Sequence, residues 1–269
     1  MRSASRPGLF LPLIAAIAAA AWGCLLLWHG GPYARYLHAV DWADVSPLAE
    51  LCRVVPGGTV ILPGALFAGA WLLMIAAMML PTTLPLLDAF RRLTAHYPDR
   101  TALIARVVAG YVAAWFLFGV VVDAADTGIH AAAATSGWLT LHGWAVGAGV
   151  LAVAGLYQFS RLKYVCLDRC RSPLSFIMEN WKGVDPRRDS LRLGLRHGLF
   201  CIGCCWSLMA VMFVVGAGSI GWMLALAALM AAEKNLPGGR ALARPVGAGL
   251  LACAAAIVVA HTGWAGVWA

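Results

Sequence analysis

Charged side chains are scarce in this sequence, at 12% of 269 residues, and only 12 of them are Asp or Glu. So few carboxylates argue against a site built for calcium or magnesium, which take oxygen ligands. Several signatures are missing as well. The chain has no phosphate-cradling glycine loop, no G-x-S-x-G elbow, no H-E-x-x-H pair and no haem-attachment motif. No repeat divides it into the two halves of a transporter. The net charge of +8 and the isoelectric point near 9.3 do not indicate a nucleic-acid partner, because the basic residues form no separable domain.

Apolar residues, by contrast, are abundant. They make up 62% of the sequence, and the mean hydropathy is +0.79, more than a single soluble core can hide. A bilayer core about 30 Å thick takes roughly 20 apolar residues per helix. Seven such runs are expected near 9–28, 64–86, 103–122, 142–160, 197–216, 219–235 and 245–264. The fold class is therefore all-α, a polytopic transmembrane helical bundle treated as one membrane domain over 1–269. Residues 161–193 form its main cytoplasmic loop, and Gly216-Ala217-Gly218 closes a tight hairpin between the fifth and sixth spans.

Orientation follows from lysine and arginine, which stay on the cytoplasmic side of short loops. Eighteen of the 20 basic residues fall on alternate segments: before span one, between two and three, between four and five, and between six and seven. The opposite segments hold only Arg35 and Arg53, beside Asp41, Asp44, Glu50, Asp123 and Asp126. The N-terminus is thus expected in the cytoplasm and the protein in a bacterial inner membrane. Residues 1–20 also resemble a signal peptide, but the apolar run continues through Leu25-Leu26-Leu27-Trp28, which favours an uncleaved span. Cleavage would leave six spans in the same orientation.

Five of the eight cysteines lie between 166 and 205. The densest stretch is Arg196-His197-Gly198-Leu199-Phe200-Cys201-Ile202-Gly203-Cys204-Cys205-Trp206. On a helix with His197 at zero, Cys204 falls at about −20°, Cys201 at about 40°, Met212 at about 60° and Cys205 at about 80°, with Met209 at the edge of that face. Thiolate, thioether and imidazole form a soft ligand set, suited to Cu(I) and second to Zn(II). A single helix does not surround an ion, so other segments must contribute. Cys166 and Cys170 have the i, i+4 spacing and lie on the same side of the membrane. Span two carries Met74, Met78 and Met79 before Pro81 and Pro85, a pattern that kinks a helix and frees carbonyls. The candidate metal residues are His197, Cys201, Cys204, Cys205, Cys166, Cys170, Met78, Met79, Met209 and Met212. Gly198 and Gly203 leave room for a neighbouring helix or ligand.

Other readings remain open. Methionine and lone cysteines such as Cys24 and Cys253 are ordinary packing residues in apolar helices. Cys201 and Cys204 also read as the C-x-x-C of a membrane thiol oxidoreductase, although a reducing compartment opposes this. A third reading is a structural subunit whose cysteines only pack. Glu233 and Lys234 pair or snorkel at the end of span six. Asp123, Asp126 and His130 share one face just outside span three, and His29, His38, Asp41 and Asp44 lie in the first outer loop; both groups read first as solvated ends.

The stretches Ala77-Met78-Met79-Leu80-Pro81, Tyr157-Gln158 through Lys163, Cys166-Leu167, Cys170-Arg171-Ser172-Pro173-Leu174, Gly194 to Met209 with its H-G-x-x-C-x-G-C-C-W core, and Glu233-Lys234 resemble one bacterial family. It is the family of predicted metal-binding integral membrane proteins. The resemblance spans most of the chain from span two to span six and implies metal binding. Arg161 stands where the family often has Pro, and Gly218-Ser219 replaces a Met-Asn pair. The expected role is copper handling, delivery or transport, a binding function more than a catalytic one. The expected partners are the lipid bilayer and a copper enzyme or soluble metallochaperone, with no nucleic acid and no assigned oligomeric state.

Overall fold

The computed structural model describes residues 10–30, 68–135, 143–215 and 219–262. The described residues are predominantly helical, with no strand among them. The elements are α1 (Phe10–Gly30), α2 (Ala68–Met79), α3 (Leu84–Leu93), α4 (Arg100–Thr135), α5 (Gly143–Tyr157), α6 (Arg161–Arg171), α7 (Pro173–Asn180), α8 (Pro186–Val215), α9 (Ile220–Asn235) and α10 (Ala243–His261).

α8 is the axis of the bundle. Its start is written locally: Pro186 occupies the first turn, and Asp185 Oδ1 accepts from the amides of Arg187 and Arg188, both at 3.2 Å. Its most extensive neighbour is α4. The two backbones approach so closely that a Cβ on Gly194 would overlap the carbonyl of Val107, and one on Gly110 would overlap that of Leu191. Glycines spaced for close helix contact, Gly194 and Gly198, thus set the α4–α8 distance. α6 packs across α8 at the level of its cysteines, and α5 with α10 covers another side.

Two helices are broken. α2 ends in a π-helical turn, Ile75–Met79, and Pro81 starts a 3-10 turn, so that α2 and α3 meet at 44°. Pro81 has no amide hydrogen, and the carbonyl of Ala77, left without its helical donor, accepts from Trp22 Nε1 at 3.1 Å instead. Ser160 breaks α5 from α6 at 64°, its hydroxyl accepting from the Lys163 amide at 3.1 Å.

Among the described residues, three helices are long and apolar enough to cross a membrane, within Arg100–Ala125, Pro186–Met212 and Gly239–His261. Counting each bent pair as one crossing raises the number to five, against seven expected from the hydrophobic runs. The difference is one of length: Pro12–Leu27 is a shorter apolar helix, and α9 has 16 residues and ends on a buried Glu233-Lys234 pair. The expected hairpin residues 216–218, the first outer loop with Cys52, His38, Asp41 and Asp44, and the side chains of His29, Asp126 and His130 lie outside the described residues.

Candidate metal centre

The centre forms where α2, α4, α6 and α9 converge on the middle of α8. Cys201, Cys204 and Cys205 are each 1% exposed, and their sulfurs lie within 4.8 Å of one another. Sulfurs sharing an ion at about 2.3 Å stand about 4 Å apart, so this spacing needs little adjustment to hold one. The Cys204 and Cys205 thiols both donate to the Cys201 carbonyl, at 3.0 and 2.9 Å, which turns them toward the same side.

Sulfur from two other helices completes the group. α6 brings Cys170 Sγ to 4.0 Å from Cys204 Sγ. Cys166, on the same face of α6, is buried in the same cluster, and its sulfur occupies the space a Cβ on residue 203 would need. Gly203 is therefore what admits Cys166 to α8. The α2 break brings Met79 Sδ to 3.9 Å from Cys205 Sγ. Met78, Met209 and Met212 are buried in the surrounding cluster.

Polar groups surround this sulfur core. Lys234 Nζ lies 3.0 Å from Cys201 Sγ, 3.3 Å from Thr82 Oγ1 and 3.8 Å from Met79 Sδ. No carboxylate among the described residues pairs with it, since Glu233 is held by Lys163 at 2.8 Å in an ion pair that is almost completely buried. A buried ammonium needs a counter-charge, and the contacting group able to carry one is the Cys201 sulfur. Tyr111 Oη lies 3.1 Å from Cys201 Sγ and donates to the Met79 carbonyl at 3.3 Å, tying α4 to both the break and the cluster.

His197 takes a different position. It is buried between Tyr111 and Phe176, with ring centroids at 5.8 and 5.5 Å, and its Nδ1 has no hydrogen-bond partner. The three-cysteine group does not include it. Cys24 and Cys253 are free and exposed, away from the centre. Lys234, Tyr111 and Thr82 were not expected at the thiols. The sequence signal for Lys234 was its charge beside an apolar run, which also fits snorkelling.

A helical bundle with a buried, carboxylate-free cluster of thiols backed by thioethers and an ammonium belongs to the class of proteins fitted to a soft metal ion. The particular family is shown by sequence: the PpoB2 copper chaperone model matches residues 68–257, well over half the chain, and the chain belongs to that family. The matched stretch includes every cysteine of the cluster, the α2 break and Lys234. No curated protein matches the chain, and no solved structure does.

Proposed function

We propose that this protein is a multi-pass bacterial inner-membrane protein that binds Cu(I) at Cys201, Cys204 and Cys205 and passes it to a copper-handling partner. The observation that carries the reading is the cluster of three buried sulfurs, with Cys170 and Met79 sulfurs at 4.0 and 3.9 Å from its members. Soft donors without a carboxylate favour Cu(I), and the remaining ligands come from Cys166, Cys170 and the methionines. His197 stands one layer further toward the α8 start. The charge is compatible with this ion: Cu(I) held by two thiolates, with the third cysteine as a neutral thiol, carries one net negative charge, which the Lys234 ammonium balances in a buried site.

The membrane setting draws support from the distribution of polarity. Gln158, Lys163, His197, Glu233 and Lys234 are buried, while Leu117, Val121, Leu156 and Trp222 face outward. That arrangement suits hydrocarbon better than water. The basic α6–α7 region then lies in the cytoplasm, by the positive-inside rule.

The test is competition between metals. Detergent-purified protein, prepared anaerobically, is offered Cu(I) and Zn(II) together, and the bound metal is examined by X-ray absorption. The reading expects one copper per chain with sulfur neighbours only; preferential zinc, or nitrogen and oxygen neighbours, would contradict it.

A further inference from the structure

A cavity of about 360 Å³ opens between α6, α7 and the first half of α8. Cys166 lines it, and Cys166 is also a member of the buried cluster that contains Cys201, Cys204 and Cys205. One thiol therefore lines an open cavity on one side and packs into the cluster around the three cysteines on the other. The rim carries Arg169 and Glu179, paired with each other at 41% and 50% exposure, and Arg196, whose Nη1 donates to Asn180 Oδ1 at 2.6 Å. Arg196 is exposed, and no carboxylate among the described residues pairs with it. A second hollow of about 150 Å³ shares Arg196, Asn180 and Glu179 and adds Lys182, Arg192 and Asp189, so the whole recess, with four basic side chains against two acidic ones, is net positive.

These features select a kind of donor. A volume near the lower end of small-molecule sites suits a small carrier rather than a protein domain. A guanidinium without a carboxylate partner is suited to take one, through paired N–H···O bonds. Soft Cu(I) travels on thiols. We infer that this recess is the loading site of the metal centre and binds Cu(I) as the complex of a small, carboxylate-bearing thiol, with Arg196 holding the carboxylate and Cys166 receiving the ion. The inference rests on the copper-binding reading of the cysteine cluster.

The step is a ligand exchange. The Cys166 sulfur forms a bond to copper as the bond from copper to the carrier's sulfur breaks. The carrier leaves as a free thiol, taking up the proton that Cys166 gives up. Copper stays in the +1 state throughout, so no oxidant or reductant is required. Gly203 leaves the space through which Cys166 touches α8, and Cys170 is 4.0 Å from Cys204, so the ion then meets thiols on both helices.

The test compares two donors on the full chain in detergent: Cu(I)–glutathione, which carries carboxylates, and Cu(I)–2-mercaptoethanol, which has none. Loading is followed by the copper–thiolate absorption band, and bound copper is measured at the end. Wild type is expected to load at a lower half-saturating concentration from the glutathione complex. Arg196→Gln is expected to raise that concentration about tenfold, the equivalent of about one lost charge contact, while loading from 2-mercaptoethanol is unchanged. Arg196→Lys is expected to restore part of the loss. Should Arg196→Gln fail to fold, the comparison of the two donors on wild type and on Arg196→Lys carries the test. Cys166→Ser is expected to slow loading from both donors alike, because the receiving thiol is lost whichever carrier brings the ion. Equal loading from both donors that is insensitive to Arg196 overturns the loading site while leaving the metal centre intact. Absence of bound copper from either donor overturns the metal centre itself.

Discussion

Lys234 Nζ and Cys201 Sγ, 33 residues apart in sequence, lie 3.0 Å apart in the buried centre of the bundle. The pair joins the end of α9 to the middle of α8 and places a cation where a thiolate–copper complex would need one. Without Lys234, the two-thiolate complex would be a buried, uncompensated anion. Lys234→Met is therefore expected to weaken Cu(I) binding by about tenfold or more, and Lys234→Arg by less, because a cation remains. Titration against a Cu(I) chelator of known affinity measures this. Unchanged affinity in Lys234→Met would remove the ammonium from the account.

Lys163 and Glu233 form the other buried charge pair, with side chains 0% and 2% exposed. Removing one partner strands the other in an apolar interior, at a cost of about 3–5 kcal/mol. Lys163→Met and Glu233→Gln are each expected to lower the melting temperature sharply in detergent. The double variant Lys163→Met/Glu233→Met should recover much of the loss. A double variant as unstable as the sum of the singles would mean that each side chain acts through separate contacts.

Gly203 is expected to tolerate no side chain. An added Cβ would sit 2.6 Å from Cys166 Sγ and displace it from α8. Gly203→Ala should cost about 1–3 kcal/mol, as overpacking of a filled interior does. It should also slow copper loading through Cys166, whereas Gly221→Ala, where the added atom meets open space, should do neither. Thermal melting and loading kinetics on the two variants check this, and equal behaviour would contradict the role given to Gly203.

The thiol-exchange alternative makes its own demand. A working Cys201/Cys204 dithiol would form a mixed disulfide with a partner when one cysteine is replaced. All seven described cysteines are free, and Cys201 and Cys204 are each 1% exposed. Cys204→Ser is therefore expected to trap no mixed disulfide at Cys201 on non-reducing gels. Stoichiometric trapping would favour the oxidoreductase reading instead.

Much of this was legible in the sequence because helices have a fixed period. Spacings of three and four residues were enough to gather Cys201, Cys204 and Cys205 on one side of α8, and Pro81 was enough to place a break beside Met79. The helical wheel says nothing about height, and His197 shows the effect. It shares an angle with Cys204, but seven residues at 1.5 Å each put it roughly 10 Å further down the axis. There it packs against Tyr111 and Phe176. Lys234, Tyr111 and Thr82 reach Cys201 or its neighbours from distant parts of the chain, and that convergence depends on tertiary packing that no local pattern encodes. Crossing number was also hard to read, since an apolar run marks burial in hydrocarbon or in protein alike, and α9 is only 16 residues long.

The most direct test of the central claim is copper content of the full chain purified anaerobically in detergent and reloaded with Cu(I), wild type beside Cys201→Ser/Cys204→Ser/Cys205→Ser. The account predicts one tightly held copper per wild-type chain and its loss from the folded triple variant. Equal copper in both proteins, or none in the wild type, would contradict it.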